Sequence, residues 1–105
     1  MDQKTDNNIK RFLQSIEGIN IRLNSAFLFG SFAKGNERVD SDIDIALVLE
    51  DLMDHEKFDL QVKLLLLASH IDSRIEPHPF SQQDFQIGTP FTAEIKNTGI
   101  KLPLI

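Results

Sequence analysis

The sequence predicts an α/β (α+β) domain: a small mixed β-sheet of three to four strands backed by helices. Two apolar runs, NSAFLFG at 24–30 and IDIALVL at 43–49, are bounded by glycine or polar residues and read as buried strands. Apolar residues at helical spacing precede the first run and follow the second, so helices and strands alternate along the chain. With 105 residues, 41% apolar and 26% charged, the chain has the composition of one ordinary domain, residues 1–105, around one core.

The elements follow in order. Ile9, Phe12, Leu13 and Ile16 form an amphipathic stripe that ends at Gly18, with Asp6 or Asn7 as the expected N-cap. Asn24–Gly30 is the first strand, and Ser31–Gly35 a single helical turn opening at its end. A polar connection, 36–41, leads to the second strand, Ile43–Leu49, apolar on both faces except at Asp44. Residues 54–71 form the longest helix, with Phe58, Val62, Leu65 and Leu66 as the expected core stripe and Leu64 and Leu67 widening it. Ser73–Phe80 carries Pro77 and Pro79, which cannot donate to a ladder, and reads as a third strand at a sheet edge. Ser81–Asp84 is a turn or capped helical turn. Pro90 opens a last short helix, Phe91–Asn97, stopped at Gly99, before a short strand at Ile100–Leu102. Phe27, Phe29, Phe58 and Phe91 are expected in the core.

Composition excludes several functions. Eleven Lys and Arg against 16 Asp and Glu leave a net charge of −5, which argues against broad clamping of a nucleic-acid backbone. The absence of cysteine removes disulfides, a thiolate zinc site and a cysteine nucleophile. The longest purely apolar run, Leu64–Ala68, is far short of the ~20 residues that span a bilayer. The polar N-terminus MDQKTDNNIK has no apolar signal core, so a cytoplasmic protein without membrane contact is expected.

The informative residues are the carboxylates. Asp42 and Asp44 stand two apart on a strand, so their side chains leave one face with Cα atoms roughly 6.5–7 Å apart. At ~6 Å they repel by roughly 3 kcal/mol at an effective dielectric of 20. Nothing in the neighbouring sequence relieves that repulsion, whereas a hard divalent cation such as Mg²⁺ would. Glu76, on the next expected strand, is placed to supply a third oxygen ligand, and three acidic groups around one or two Mg²⁺ suit in-line displacement at phosphorus. Gly30-Ser31 adds a phosphate cradle, because a glycine at a strand end admits close backbone approach ahead of a helical turn. Lys34 offers a nearby positive charge. Asp72 shares strand parity with Glu76 and is the fallback third ligand. His78 shares that parity too, but reads more readily as a polar residue between two edge prolines. His55 and His70 receive no role.

The run Gly30-Ser31-Phe32-Ala33-Lys34-Gly35, then five residues, then Ser41-Asp42-Ile43-Asp44-Ile45, resembles the signature of the DNA polymerase β-like nucleotidyltransferase superfamily. The chain length and the Phe-Ala-Lys-Gly filling resemble its minimal nucleotidyltransferases, the MNT proteins. The resemblance implies the polymerase β-like fold and transfer of a nucleoside monophosphate from an NTP to a hydroxyl, with two Mg²⁺ and release of pyrophosphate. It implies that Asp42, Asp44 and Glu76 are the catalytic and metal-binding carboxylates. It implies that Gly30, Ser31, Lys34 and Ser41 hold the nucleotide. Glu76 departs from the commoner aspartate at the third position.

Larger members carry extra domains that choose the acceptor, and this chain has no room for one. The resemblance therefore implies a protein partner: an all-helical HEPN-type toxin, with the MNT protein as the antitoxin that adds AMP from ATP to a toxin tyrosine. Leu64–Leu67 and the tail Ile100–Ile105 are expected either to pack in the core or to form that interface. Two alternatives stand beside this one. One is a non-catalytic module that masks a helical partner; the other is the catalytic subunit of an aminoglycoside-type nucleotidyltransferase. Self-assembly into a homo-oligomer is left open.

Overall fold

The computed structural model describes residues 1–104. Helix α1 spans Gln3–Ile16, β1 Leu23–Phe29, α2 Ser31–Lys34 and β2 Ile43–Leu49. A 3₁₀ turn, Asp54–Glu56, leads into α3, Lys57–Ser69; then come β3 Ile75–Ser81, α4 Gln82–Ile87, α5 Pro90–Thr98 and β4 Ile100–Leu102. The strands form one four-stranded sheet in the order β3-β2-β1-β4. The β1–β2 and β1–β4 pairs are antiparallel, and β2–β3 is parallel. No described helix is long and apolar enough to cross a membrane.

Alternation along the strands gives the sheet two unlike faces. Ile43, Ile45, Leu47 and Leu49 of β2 join Ala26 and Leu28 of β1 and Ile75 of β3 in the main core. That core is closed by Ile9, Phe12 and Ile16 of α1 and by Leu60, Leu64 and Ala68 of α3. The other face carries a smaller apolar cluster, in which Phe29, Ala46 and Val48 pack with Phe85 of α4 and Ile95 of α5. Asp44 belongs to this second face, at the end of the sheet where β1 stops.

The edge position of β3 is confirmed and has a backbone explanation. Ile43 N–H donates to the Arg74 carbonyl at 2.7 Å, so the even-numbered residues of β3 turn their backbone toward β2. Pro77 and Pro79 therefore direct their missing donors to the free edge. The Pro77 carbonyl, facing the same way, accepts a 2.6 Å bond from Gln61 Nε2 of α3.

Three expectations require correction. Helix α1 begins earlier than its apolar stripe: Asp2, not Asp6 or Asn7, is the cap, accepting from Thr5 N–H at 2.7 Å. The added turn is held by polar contacts, because Asn8 donates to Asp72 and the Thr5 hydroxyl accepts from Arg74, both at 3.1 Å. On α3, the expected stripe faces outward: Phe58 is 76% and Leu66 58% exposed, and Val62 and Leu65 are also exposed. The helix is apolar nearly all round, so periodicity admits either rotation. The Gln61–Pro77 bond and the small Ala68 suit the rotation that buries Leu60 and Leu64. Finally, Phe58 and Phe91 lie outside the core; Phe91 is exposed and meets Phe29 edge-on at 5.6 Å. Of the tail, Ile100 and Leu104 are exposed, and Ile105 lies outside the described residues.

Asp72 ties β3 to α1. The Arg74 guanidinium, the Arg74 backbone N–H and Asn8 all donate to its carboxyl and hold its pKa down to about 2, from an ordinary 3.8. A carboxyl depressed in the folded state stabilises the fold above its unfolded value and loses that contribution as pH falls through the folded one. The depression corresponds to about 2 kcal/mol. Asp72→Asn should cost about 2 kcal/mol at neutral pH, and urea unfolding at pH values from about 4 down to 2 should show the two proteins converging.

Candidate active site

The site lies where β1 ends. Phe29, the last residue of β1, is the register partner of Asp44, so the next residue lies over the Asp44 side chain. That residue is Gly30, at φ 74° and ψ −150°, a backbone region that essentially only glycine occupies. A Cβ there would stand 2.6 Å from Asp44 Oδ2. The missing side chain thus makes room for the carboxylate. The chain then turns at once into α2, whose first N–H groups, at Ser31, Phe32 and Ala33, have no intrahelical acceptors. No side chain caps them. Gly35, at φ 74°, ends α2 in the left-handed conformation and returns the chain toward β2.

Parallel pairing brings β3 to the same place. Glu76 is the register partner of Asp44, and His78 follows on the same face, opposite Ala46. Donor atoms of Asp44, Glu76 and His78 all lie within 4.8 Å of one another. His78 Nε2 sits 3.1 Å from Asp44 Oδ1, and its ring meets Phe29 edge-on at 5.0 Å. Asp42, exposed just before β2, stands outside this group of three but reaches the Glu76 carboxyl. Burial, then the Asp42 carboxylate, and to a smaller degree Asp44, push the Glu76 carboxyl above its ordinary value, against a lowering by His78. Among the described residues no Lys or Arg pairs with Asp42, Asp44 or Glu76. Crowded oxygen donors without a neutralising side chain other than a histidine fit a divalent cation.

The remaining expected residues divide. Ser31 opens α2 beside Gly30. Lys34 turns to α5 and pairs with Glu94 at 3.1 Å, both side chains about half exposed. A small cavity of about 160 Å³ runs between Gly30, Lys34, Phe91 and Thr98. Ser41 Oγ accepts from Arg38 N–H at 2.7 Å, which shapes the turn delivering Asp42. The fallback, Asp72, is committed to Arg74 and Asn8 and is not part of the cluster. His70 bonds the Leu66 carbonyl within its own helix, and His55 lies across the fold in a groove with Arg22 and Asp51. The residue that sequence reasoning underweighted is His78. Its signal was the shared parity with Glu76; what parity alone lacks is the register that sets it diagonally across from Asp44.

Two substitutions follow from this geometry. Gly30→Ala should cost about 1–3 kcal/mol in backbone strain and displace Asp44, weakening Mn²⁺ or Mg²⁺ binding at least tenfold in calorimetry. Glu76 is a carboxyl raised in the folded state, so its ionisation lowers stability as pH rises through its ordinary range. Glu76→Gln should therefore raise the Tm of the cation-free protein at neutral pH, on the order of a few °C, while removing cation binding.

Comparisons with known proteins agree with the fold. The chain is similar to a chain of a toxin–antitoxin crystal structure with AMP-PNP, at 24% identity over 99% of this chain and 75% of that one, TM-score 0.61. It is similar, at 25% identity, to a chain of a single-site variant of the MntA–HepT toxin–antitoxin, over 95% of this chain and 72% of that one, TM-score 0.58. A candidate minimal nucleotidyltransferase matches at 21% identity over 97% of both chains, TM-score 0.53. No curated protein sequence matches significantly. The family model for polymerase beta nucleotidyltransferases matches residues 7–102, nearly the whole chain and every residue of the site, and the chain therefore belongs to that family.

Proposed function

We propose that this chain transfers AMP from ATP to a hydroxyl acceptor with two Mg²⁺ ions, and that the acceptor is a tyrosine of an all-helical HEPN-type toxin for which it is the antitoxin. The observation that carries the reading is Asp44 seated in the space left by Gly30, with Glu76 beside it and no Lys or Arg paired to either. The relatives support the donor and the partner: one is described with AMP-PNP, and others as MntA–HepT toxin–antitoxin complexes. With ATP as donor, the reaction belongs in the cytoplasm.

In this reading Asp42, Asp44 and Glu76 hold the cations, which when bound neutralise the carboxylates and the triphosphate and steady the leaving charge. The free N–H groups of α2 and the Ser31 hydroxyl receive the phosphates. Lys34 joins them by leaving Glu94, and Ser41 keeps the turn that presents Asp42. Glu76, beside Asp44 on the neighbouring strand, takes the proton of the acceptor hydroxyl. The acceptor oxygen bonds the α-phosphorus as the bond to the bridging oxygen breaks, and pyrophosphate leaves. Phe58, Val62, Leu65 and Leu66 leave α3 an uncovered apolar face of the kind a helical partner covers.

ATP labelled on the α-phosphate, incubated with Mg²⁺, this protein and the product of the adjacent gene, tests the reading. Label should pass to the neighbouring protein and fall at least a hundredfold with Asp44→Asn. A stable complex that never acquires label would instead identify a masking module.

A further inference from the structure

The group of three donors that lies within 4.8 Å of one another is not the three carboxylates of the motif. It is two carboxylates and an imidazole: Asp44, Glu76 and His78. Asp42, the first aspartate of the motif, is exposed and stands outside that group. From this arrangement we infer that His78 is a direct ligand of the cation shared with Asp44 and Glu76, and that the site prefers Mn²⁺, Co²⁺ or Zn²⁺ to Mg²⁺. The inference rests on the reading that this cluster binds a divalent cation.

The geometry suits ligation. Bonds of about 2.0–2.2 Å allow donors around one ion to stand up to roughly 4.4 Å apart, so a spread of 4.8 Å closes with movements of a few tenths of an ångström. His78 Nε2 already points at Asp44 Oδ1, 3.1 Å away. With its proton on Nε2 the ring would donate to Asp44; with its proton on Nδ1 the Nε2 lone pair would be free for a cation in the same place. Phe29 against the ring limits its rotation, so Nε2 stays directed into the cluster without help from the ion. A ring held in place loses less freedom on binding, which favours ligation over release to solvent.

The metal preference follows from donor chemistry. Mg²⁺ favours carboxylate, carbonyl and water oxygens, whereas imidazole suits the later first-row ions. Replacing one oxygen donor by an imidazole nitrogen therefore shifts selectivity away from Mg²⁺. A histidine that only hydrogen-bonded Asp44 would position the carboxylate and leave the preference among ions unchanged.

The test measures binding apart from transfer. Mn²⁺ and Mg²⁺ affinities would be measured by calorimetry for the wild type, His78→Gln and His78→Asn, with thermal unfolding confirming that each folds. The Mn²⁺ complexes would be examined by electron spin-echo spectroscopy for coupling to ¹⁴N. The wild type should bind Mn²⁺ at least tenfold more tightly than Mg²⁺ and show the nitrogen coupling. Both substitutions should abolish the coupling and remove most of the preference for Mn²⁺ over Mg²⁺. Mn²⁺ bound without nitrogen coupling, or a preference that survives both substitutions, would overturn this inference and leave the carboxylate site standing. Failure of either cation to bind would overturn both.

Discussion

The structure turns on keeping negative charge crowded at one end of a sheet. Asp44 is fixed there by its place on β2, Glu76 by parallel pairing and Asp42 by the turn that Ser41 holds. Each is an ordinary consequence of strand geometry, yet together they oppose folding, since like charges at this spacing repel by a few kcal/mol. Burial first, and then the neighbouring carboxylates, hold the Glu76 carboxyl above its ordinary value. The fold tolerates the cluster because the opposite face of the same sheet is thoroughly buried, with Ile43, Ile45 and Leu47 fully enclosed. Those odd-numbered residues of β2 secure the strand; on the other face Ala46 and Val48 pack with Phe85 and Ile95, which leaves Asp44 for chemistry.

Gly30 links the cluster to the rest of the fold. It lies at the junction of β1 and α2, and its lack of a side chain lets Asp44 lie under the first turn of that helix. The carboxylates and the unbonded N–H groups of α2 thus become neighbours although they come from segments more than ten residues apart. In the proposed reading this sets the cation site beside the phosphate site, as reaction at a metal-bound nucleotide requires. Lys34 on the far end of α2 is at present tied to Glu94, so α5 influences the cradle as well.

Much of this was legible in the residues. The two-residue spacing of Asp42 and Asp44 on an apolar strand, and the glycine before a short helix, place the site in the sequence; β2 and β4 fall on the expected residues. Pro77 and Pro79 identify an edge, because a missing donor has one meaning in a ladder. What sequence could not supply were choices made by tertiary contacts. The rotation of α3 accords with a single bond from Gln61 to a proline carbonyl, and a helix with apolar residues on all sides leaves it undetermined. The fate of Asp72 depends on Arg74 and on Asn8, sixty-four residues away. The place of His78 beside Asp44 needs the register of β3 against β2, which parity does not fix.

In the proposed reading the crowded carboxylates hold cations beside a nucleotide. A crystal structure of the protein with Mn²⁺ and a non-hydrolysable ATP analogue, read by anomalous scattering, tests it most directly. Manganese should be bonded to Asp44 and Glu76, with the triphosphate over Gly30 and Ser31. Manganese absent from these carboxylates, or a nucleotide bound elsewhere on the molecule, would contradict it.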